Sequence, residues 1–333
     1  MKSSLSYFTG SFIFCTLATA VAYLMGGFQA ALTVLFLTVL ETSLSFDNAV
    51  VNAGILKDWD AIWRRRFLTW GLLIAVFGMR LIFPLAIVGV VGDMSPLRTI
   101  EMALHAPAEY SQILESAHHQ IAAFGATFLM MVFFNYFVAK HKTTHWLQIF
   151  EKPLTRLGKM EAIEAAMTLI ALLFASRLLD IAHRAEFIEA GIWGVAIFIL
   201  SKGLGALLGG NENTGHYAIR QGIGGFLYLE LLDASFSFDG VIGAFALTNN
   251  LLLMMLGLGA GAMFVRSFTL LLVDNHTLTH YRYLEHGAFW AIGALSVMML
   301  VGAALRIPEA FTGLLGATLI AASLGSSILA NRK

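Results

Sequence analysis

The stretch ETSLSFDNAVV, residues 41–51, places two carboxylates, Glu41 and Asp47, inside a long apolar run. A second stretch, LLDASFSFDGVI, residues 231–242, repeats this arrangement near the other end of the chain. An ionisable side chain at the centre of a bilayer costs at least about 2.5–3.5 kcal/mol, so it is expected only where function or pairing compensates it. The two stretches therefore predict a membrane protein and the position of its functional site.

The composition supports a membrane environment. Of the 333 residues, 58% are hydrophobic and 13% are charged, whereas soluble domains carry about 25% charged residues. The mean hydropathy is +0.76. The formal net charge is zero, which gives no reason to expect a nucleic-acid partner, and the single cysteine, Cys15, excludes a disulfide framework and a Cys-based metal site. We therefore expect the lipid bilayer to be the partner of most of the surface.

Ten apolar segments are candidates to cross a bilayer, which requires about 20 residues per helix. The expected fold is an all-α polytopic membrane helix bundle of about ten transmembrane helices. The segments cover residues 8–25, 28–56, 68–92, 119–139, 162–182, 188–209, 218–248, 250–273, 284–305 and 308–330. Lys2 and the small residues of the first segment also suit a cleaved signal peptide. We expect a retained helix, because the sixth segment otherwise lacks a counterpart.

The charges of the loops predict the orientation, because short cytoplasmic loops collect Lys and Arg. The acidic segment 93–118 suits the outer side, together with Arg306. We expect both termini in the cytoplasm and the chain in a bacterial inner membrane. The basic residues assigned to the cytoplasmic side are Lys57, Arg64, Arg65, Arg66, Lys140, Lys142, Lys152, Arg156, Lys159, Arg220, Arg282, Arg332 and Lys333.

The two acidic stretches belong to a longer internal repeat. Each is followed by a lone arginine in an apolar run, Arg80 in the first copy and Arg266 in the second, and then by a helix that begins at a histidine and contains a Met pair. In order, the matches are Glu41 with Asp233, Ser43 with Ser235, Ser45 with Ser237, Phe46 with Phe238, Asp47 with Asp239, His118 with His286, Gly125 with Gly293, and Met130 and Met131 with Met298 and Met299.

The repeat predicts the topology of a transporter. Segments two to four correspond to segments seven to nine, and a shift of five helices makes the copies enter the membrane from opposite sides. Such inverted repeats are typical of secondary transporters, whose substrates bind near the midplane. We take residues 1–183 as the first membrane repeat and residues 184–333 as the second, inverted one. Since Glu41 and Asp47 would point about 120° apart on an ideal helix, we expect unwinding near residues 43–45 and 235–237.

The acidic side chains favour a hard divalent cation as ligand. Neither Cys nor His lies within one helical turn of them, and oxygen ligands suit Mg²⁺, Ca²⁺ or Mn²⁺ better than Cu⁺ or Zn²⁺. The structural alternative to a cation site is that these acids form a buried ion-pair network with Arg80 and Arg266, which only holds the two halves together. The candidate ligands are the acids Glu41, Asp47, Glu230, Asp233 and Asp239, with Ser45, Asn48 and Ser237 completing an oxygen shell.

The two acidic stretches resemble a known pair of signatures. They read ETSLSFDN and ELLDASFSFD, and each is followed by a membrane arginine and by a Gly-containing helix that ends in Met. This arrangement resembles the TerC superfamily of integral membrane proteins and is most similar to its DUF475-type branch. The resemblance covers about residues 35–305. It implies efflux of a divalent cation such as Mn²⁺, with a site at Glu41, Asp47, Asn48, Glu230, Asp233 and Asp239. Gly240, where many members have a small hydroxyl residue, departs from the pattern. The histidines His105, His118 and His119 lie beyond it.

Three functions compete. The leading hypothesis is a transporter that exports Mn²⁺, or alternatively Ca²⁺ or Mg²⁺, from a midplane site between the repeats, with proton counter-transport as the driver and no organic cofactor. The second is a structural or assembly partner for other membrane proteins. The third is an intramembrane aspartyl protease, which we disfavour because neither Asp47 nor Asp239 lies in a G-x-G-D turn. We therefore expect no enzymatic activity.

Overall fold

The computed structural model describes residues 4–71, 73–139, 144–208, 222–248, 250–275, 277–305, 307 and 309–332; within these ranges a few side chains, among them that of Asp239, lie outside the description. The described residues form helices and short connections, without a strand. After a 3₁₀ turn at Ser4–Tyr7, the helices are α1 Thr9–Leu44, α2 Phe46–Leu56, α3 Ala61–Val91, α4 Pro96–His105, α5 Pro107–Ser116, α6 His118–Val138, α7 Gln148–Leu157, α8 Ile163–Ser176, α9 Ile181–Leu208, α10 Ile223–Leu247, α11 Leu251–Asp274, α12 Thr277–His280, α13 Leu284–Gly302 and α14 Glu309–Asn331.

Seven of the described helices are long and apolar enough to span a membrane, namely α1, α3, α6, α9, α11, α13 and α14. Large apolar side chains such as Leu24, Phe36 and Leu314 lie on the outside of the bundle. A surface of this kind is suited to lipid, since contiguous exposed apolar patches are rare on soluble monomers. The predicted helical membrane bundle is confirmed at this level.

Helix α1 contains a break where predicted segments one and two meet. Gly27 has φ 68° and ψ −157°, a conformation that only glycine adopts readily. On either side of the break α1 packs against α11. Ser11 Oγ donates to the carbonyl of Met263 at 2.8 Å, and Thr38 Oγ1 donates to that of Gly257 at 3.1 Å.

One of the two predicted interruptions is present. Helix α1 ends at Leu44 and α2 begins at Phe46, with Ser45 at φ −95° and ψ 17° between them. The unwinding predicted at residues 235–237 is wrong, because α10 is helical throughout Ile223–Leu247. There the hydroxyl of Ser235 donates to the carbonyl of Leu231 at 2.9 Å, so a serine is accommodated in the apolar helix without breaking it.

The core lies between α6, α9, α10 and α13 and is rich in aromatic side chains. Phe128 of α6 packs edge-on against Phe198 of α9, with ring centroids 5.6 Å apart. Tyr136 of α6 stacks on Phe289 of α13 at 3.6 Å. Because large rings bury much apolar area with few rotatable bonds, these contacts provide a rigid scaffold beside the acidic helices.

The connection between α6 and α8 is anchored by a buried carboxylate. Glu151 of α7 is fully buried and accepts hydrogen bonds from the backbone N–H groups of Trp146 and Leu147 and from Trp290 Nε1, each at 3.1 Å. This ties α7 to α13. Of the basic residues used to predict the topology, Lys140, Lys142, Arg220, Arg306 and Lys333 lie outside the described residues.

Candidate functional site

A cavity of about 50 Å³ lies where α1, α2, α3, α10 and α11 meet. A single water needs roughly 10–15 Å³ by this measure, so the cavity has room for a few waters or for an ion with part of its hydration shell. Nine of its fourteen lining residues are polar or charged. The lining residues are Glu41, Ser45, Asn48, Asn52, Arg80, Asp233, Ser237, Arg266 and Thr269, with Phe67, Leu68, Ala75, Ala262 and Val265.

Glu41 is buried in this cavity and is held by two donors. Ser45 Oγ donates to Glu41 Oε1 at 2.9 Å, and the guanidinium of Arg80 forms an ion pair with the same oxygen. Arg80 lies in the π-helical stretch Ile74–Ile82 of α3, a wide turn often found at functional sites. Its second terminal nitrogen donates to the carbonyl of Ala75 at 2.7 Å. Arg80 therefore neutralises Glu41 in this arrangement.

A glycine of α11 makes room for Glu41. A Cβ added at Gly261 would lie 2.5 Å from both Cβ and Cγ of Glu41 and 3.1 Å from the carbonyl of Thr38. One turn earlier, a Cβ at Gly257 would lie 2.5 Å from Leu37 Cβ. Small residues at this spacing let membrane helices approach at backbone distance. Helix α11 thus fixes how deeply Glu41 enters the cavity.

Asp233 enters the cavity from α10 and is met by amides of α2. Asn52 Nδ2 donates to Asp233 Oδ1 at 2.7 Å, and Asn48, one turn earlier on α2, also interacts with this carboxylate. Residues four apart share a helix face, so α2 presents both amides to α10. This contact joins the first acidic stretch to the second.

Several buried oxygen atoms of the cavity have no partner within the described part of the chain. These are Asn48 Oδ1, Asn52 Oδ1 and Ser237 Oγ. Leaving a buried polar group unsatisfied costs about 1–3 kcal/mol. Amide and hydroxyl oxygens are ligands that Ca²⁺ and Mg²⁺ accept, and Mn²⁺ has the same preference for oxygen. The cavity thus combines neutral oxygen donors with two carboxylates.

Asp47 lies in a second, adjoining cavity of about 30 Å³ rather than in the first. Its Oδ1 accepts a hydrogen bond from the backbone N–H of Asn48 at 2.8 Å, and it belongs to the first turn of α2, where a negative charge is favourable. Glu41 and Ser45 line both cavities. The lining residues of the second cavity are Glu41, Leu44, Ser45, Asp47, Phe236, Gly240, Ala291, Leu295, Thr312, Gly313 and Gly316.

The remaining two predicted ligands differ in position. Glu230 is 4% exposed, lines neither cavity and has no hydrogen-bond partner for its carboxylate oxygens among the described residues. The side chain of Asp239 lies outside the description, but its neighbour Gly240 lines the second cavity. Among the described side chains, no three of the predicted acids place ligand atoms within 4.8 Å of one another. The first cavity therefore brings together Glu41, Ser45, Asn48, Asp233 and Ser237 of the predicted set.

Residues 46–333 match the model of a protein family described as "Protein of unknown function (DUF475)". The chain belongs to the DUF475 family. No curated protein and no solved structure matches it. Because the match begins at Phe46, the DUF475 region contains Asp47, Asn48 and the whole second acidic stretch, whereas Glu41 and Ser45 precede it.

Two polar residues of the cavity in this DUF475 protein are absent from the predicted set. Asn52 follows Asn48 by four residues on α2, and Thr269 follows Arg266 by three residues on α11. Both spacings place a residue on the same helix face as its predecessor. The sequence therefore contains a signal for Asn52 and Thr269, namely their helical spacing from Asn48 and Arg266.

The two repeat-related arginines have different partners. Arg80 pairs with Glu41, as the buried ion-pair alternative predicts for one copy. Arg266 lines the same cavity, but its Nε donates to the carbonyl of Leu68 rather than to an acid. Asp233 depends instead on an amide donor. The cavity is thus asymmetric although the sequences that build it are similar.

Proposed function

We propose that this protein exports a divalent cation, with Mn²⁺ as the preferred cargo and Ca²⁺ or Mg²⁺ as the other candidates. The observation that carries the proposal is the first cavity. Within the described residues, the buried atoms Asn48 Oδ1, Asn52 Oδ1 and Ser237 Oγ lie there without a partner, together with the carboxylates of Glu41 and Asp233. Oxygen-only donors of this kind suit hard divalent ions. A buried carboxylate among apolar helices is itself typical of an ion pathway.

We further propose that the chain is a member of the TerC superfamily that crosses the membrane ten times as an inverted repeat. Seven described helices are long and apolar enough to cross the membrane, and three further features support ten crossings. The break at Gly27 divides α1 into two stretches. Helix α8 is apolar but has 14 residues. Helix α10 has 25 residues and carries the acids of the second stretch.

Arg80 gives this transporter an internal counter-cation. With Glu41 and Asp233 facing Arg80 and Arg266, the formal charges lining the first cavity balance. An entering divalent ion displaces Arg80 from Glu41, and Arg80 returns when the ion leaves, so the carboxylate is never left uncompensated. A buried carboxylate without a partner would be strongly unfavourable. Rocking of the two repeats then exposes the ion to each side in turn.

Export requires a driver. Moving one elementary charge against the membrane potential costs about 2.3 kcal/mol for each 100 mV, and a divalent ion carries two. We propose proton counter-transport on the same carboxylates, since an acid released by the metal accepts either a proton or Arg80. A gradient of protons across the membrane is then expected to accelerate Mn²⁺ movement in the opposite direction.

Transport by purified protein in proteoliposomes tests the proposal. With Mn²⁺ outside and a Mn²⁺-sensitive dye inside, we expect a Mn²⁺ flux into the liposomes well above that of empty liposomes. A pH gradient that drives protons out of the liposomes is expected to increase this flux. We expect Asp233→Asn to reduce the flux at least tenfold, because it removes the charge that faces Asn52 while keeping the shape. Asn48→Leu is expected to reduce it as well, because an oxygen ligand is lost.

Asp274→Asn is the matched control, since Asp274 is an exposed acid at the end of α11 that hydrogen bonds Tyr7. Its flux is expected to equal that of the unaltered protein. A protein that moves no Mn²⁺, Ca²⁺ or Mg²⁺, or an Asp233→Asn variant as active as the control, contradicts the proposal. In that case an assembly defect of other membrane proteins on deletion would favour the partner hypothesis, and metal-free cleavage of a membrane substrate would favour the protease.

A further inference from the structure

Two histidines and a glutamate meet at the end of the bundle where α5 leads into α6. His119 lies in the first turn of α6, and His183 and Glu186 lie in the first turns of α9. His119 Nε2 and Glu186 Oε2 are 3.1 Å apart, and the rings of His119 and His183 have centroids 4.6 Å apart. One ligand atom from each of the three residues lies within 4.8 Å of the others. Among the described residues this is the only such group of His, Cys, Asp and Glu.

We propose that His119, His183 and Glu186 form a binding site for a first-row transition-metal ion, with Zn²⁺ as the best fit. Two imidazoles and one carboxylate are a ligand set used for Zn²⁺ with an open fourth position. The set differs in chemistry from the oxygen-lined cavity, because imidazole nitrogen suits Zn²⁺, Ni²⁺ or Cu²⁺ better than Mg²⁺ or Ca²⁺. The site is separate from the proposed transport path and does not depend on it.

The geometry requires a small closure around the ion. Two ligand atoms bound to one Zn²⁺ at about 2.0–2.2 Å each are at most about 4.4 Å apart. Glu186 already lies within hydrogen-bond distance of His119, and the side chain of His183 is exposed, so it is the side chain that we expect to turn toward the other two. His183 and Glu186 are three residues apart and share one face of α9. We therefore expect side-chain rotation, without a shift of the helices, to bring the three ligands together.

The surroundings of the cluster keep its ligands available. His119 is largely buried, with 11% of its side chain exposed, which holds its ring in place. Gln120 Nε2 donates to Glu186 Oε2 at 2.7 Å and orients the carboxylate, as hydrogen-bonded neighbours of metal ligands commonly do. The nearby cation, Arg184, is directed to backbone carbonyls, with its Nε donating to Leu179 at 2.9 Å.

Equilibrium dialysis of the full-length protein against Zn²⁺ tests this site. The protein is used without a polyhistidine tag, in detergent or nanodiscs, and bound metal is measured by mass spectrometry. We expect His183→Ala to lose one bound Zn²⁺ per chain, or to weaken its binding at least tenfold. Glu186→Gln, which keeps the side-chain volume, is expected to weaken the same binding event. Bound Co²⁺ is expected to give the visible absorption of a nitrogen-ligated site, which both variants lose.

His105→Ala is the matched control, because His105 is an exposed histidine of α4 outside the cluster. It is expected to keep the Zn²⁺ stoichiometry and affinity of the unaltered protein. Since His183 and Glu186 are exposed, their variants are expected to elute as folded protein in size-exclusion chromatography. If folded His183→Ala and Glu186→Gln bind Zn²⁺ as the control does, the proposed site does not exist.

Discussion

Arg80 is the residue on which the charge balance of the first cavity depends. Its side chain is buried, pairs with Glu41 and donates to the carbonyl of Ala75. Arginine suits this position better than lysine, because its planar group contacts both acceptors at once and stays charged when buried. The pair itself is no proof of added stability, since two charges taken out of water offset much of their attraction. Removing one of the two charged partners, however, leaves the other buried without a counter-charge.

Replacing Arg80 with methionine tests this dependence. We expect Arg80→Met to destabilise the protein by about 3–5 kcal/mol, because Glu41 stays buried without its cation. The double variant Arg80→Met with Glu41→Gln is expected to recover much of this loss, since no unpaired charge remains. Thermal unfolding in detergent measures both effects. Arg65→Met, at an exposed arginine of α3, is the control and is expected to unfold at the temperature of the unaltered protein. If Arg80→Met unfolds at that temperature too, Arg80 is not the residue that compensates Glu41.

The sequence predicts residues of the cavity better than it predicts their grouping. Glu41, Ser45, Asn48, Asp233 and Ser237 were all accessible from two short stretches, because charged and amide side chains stand out in an apolar run. The placement of Asp47 in a separate cavity and of Glu230 in neither depends on how far α2 and α10 are rotated and shifted along their axes. The rotation and shift of these helices are determined by side-chain packing, which the similarity of the two repeats in the sequence does not reveal.

At the scale of elements, α11 determines the position of Glu41 through a close approach to α1. The glycines Gly257 and Gly261 are one helical turn apart and leave space for Leu37 and Glu41. Without a hydrophobic driving force between helices in lipid, such close packing is a main source of association. The serine-rich break at Ser45 then turns the chain into α2. The position of Glu41 is thus determined by a neighbouring helix as much as by its own.

Adding one methyl group to α11 tests this packing. We expect Gly261→Ala to destabilise the protein by about 1–3 kcal/mol, the usual cost of overpacking, and to reduce Mn²⁺ flux, because Glu41 must move. Gly302→Ala is the control, since nothing lies within 4 Å of a Cβ at that position. It is expected to be neutral or slightly stabilising, as Ala favours helix more than Gly. Unfolding temperature and flux are measured together; normal values for Gly261→Ala would show that Glu41 is not positioned by this contact.

Helix α7 offers a second test at this scale, away from the cavity. Glu151→Ala removes the acceptor of two backbone N–H groups and of Trp290 Nε1. An unpaired buried donor costs about 1–3 kcal/mol, and these three donors are only partly buried, so we expect a loss of at least about 2 kcal/mol. The loss is expected to be smaller for Glu151→Gln, which retains one acceptor oxygen. Glu161→Ala, at an exposed acid of the same connection, is the reference. Equal unfolding temperatures for Glu151→Ala and Glu161→Ala would exclude the anchoring role.

At the scale of the whole molecule, composition and hydropathy predict a helical membrane bundle, and the described helices agree. Local symmetry in the sequence does not carry over to local structure. The first acidic helix breaks at Ser45 whereas α10 continues through Ser235, and Arg80 pairs with an acid whereas Arg266 bonds a carbonyl. Related copies of a repeat diverge in this way because each packs against different neighbours. The proposed transport by two inverted halves would require such asymmetry in any one state, since the site cannot be open to both sides at once.

The proposed topology is open to a direct labelling test across α6. This helix has 21 residues, about 31 Å at 1.5 Å per residue, which matches a hydrocarbon core of about 30 Å. We therefore expect its two flanking connections to lie on opposite sides of the membrane. Glu109 of α5 and Lys159 after α7 are exposed positions in these connections. Replacing the single cysteine by Cys15→Ser provides a background for new ones.

In intact cells, we expect a membrane-impermeant maleimide to modify the Glu109→Cys variant, because the loop charges predict that the acidic segment lies outside. The Lys159→Cys variant is expected to react only after lysis, because Lys and Arg accumulate on the cytoplasmic side. The reverse labelling pattern would show that the chain has the opposite orientation in the membrane. Labelling of both positions from the same side would remove α6 from the set of crossing helices. The shift between the repeats would then be even, and two copies related by an even shift enter the membrane in the same direction.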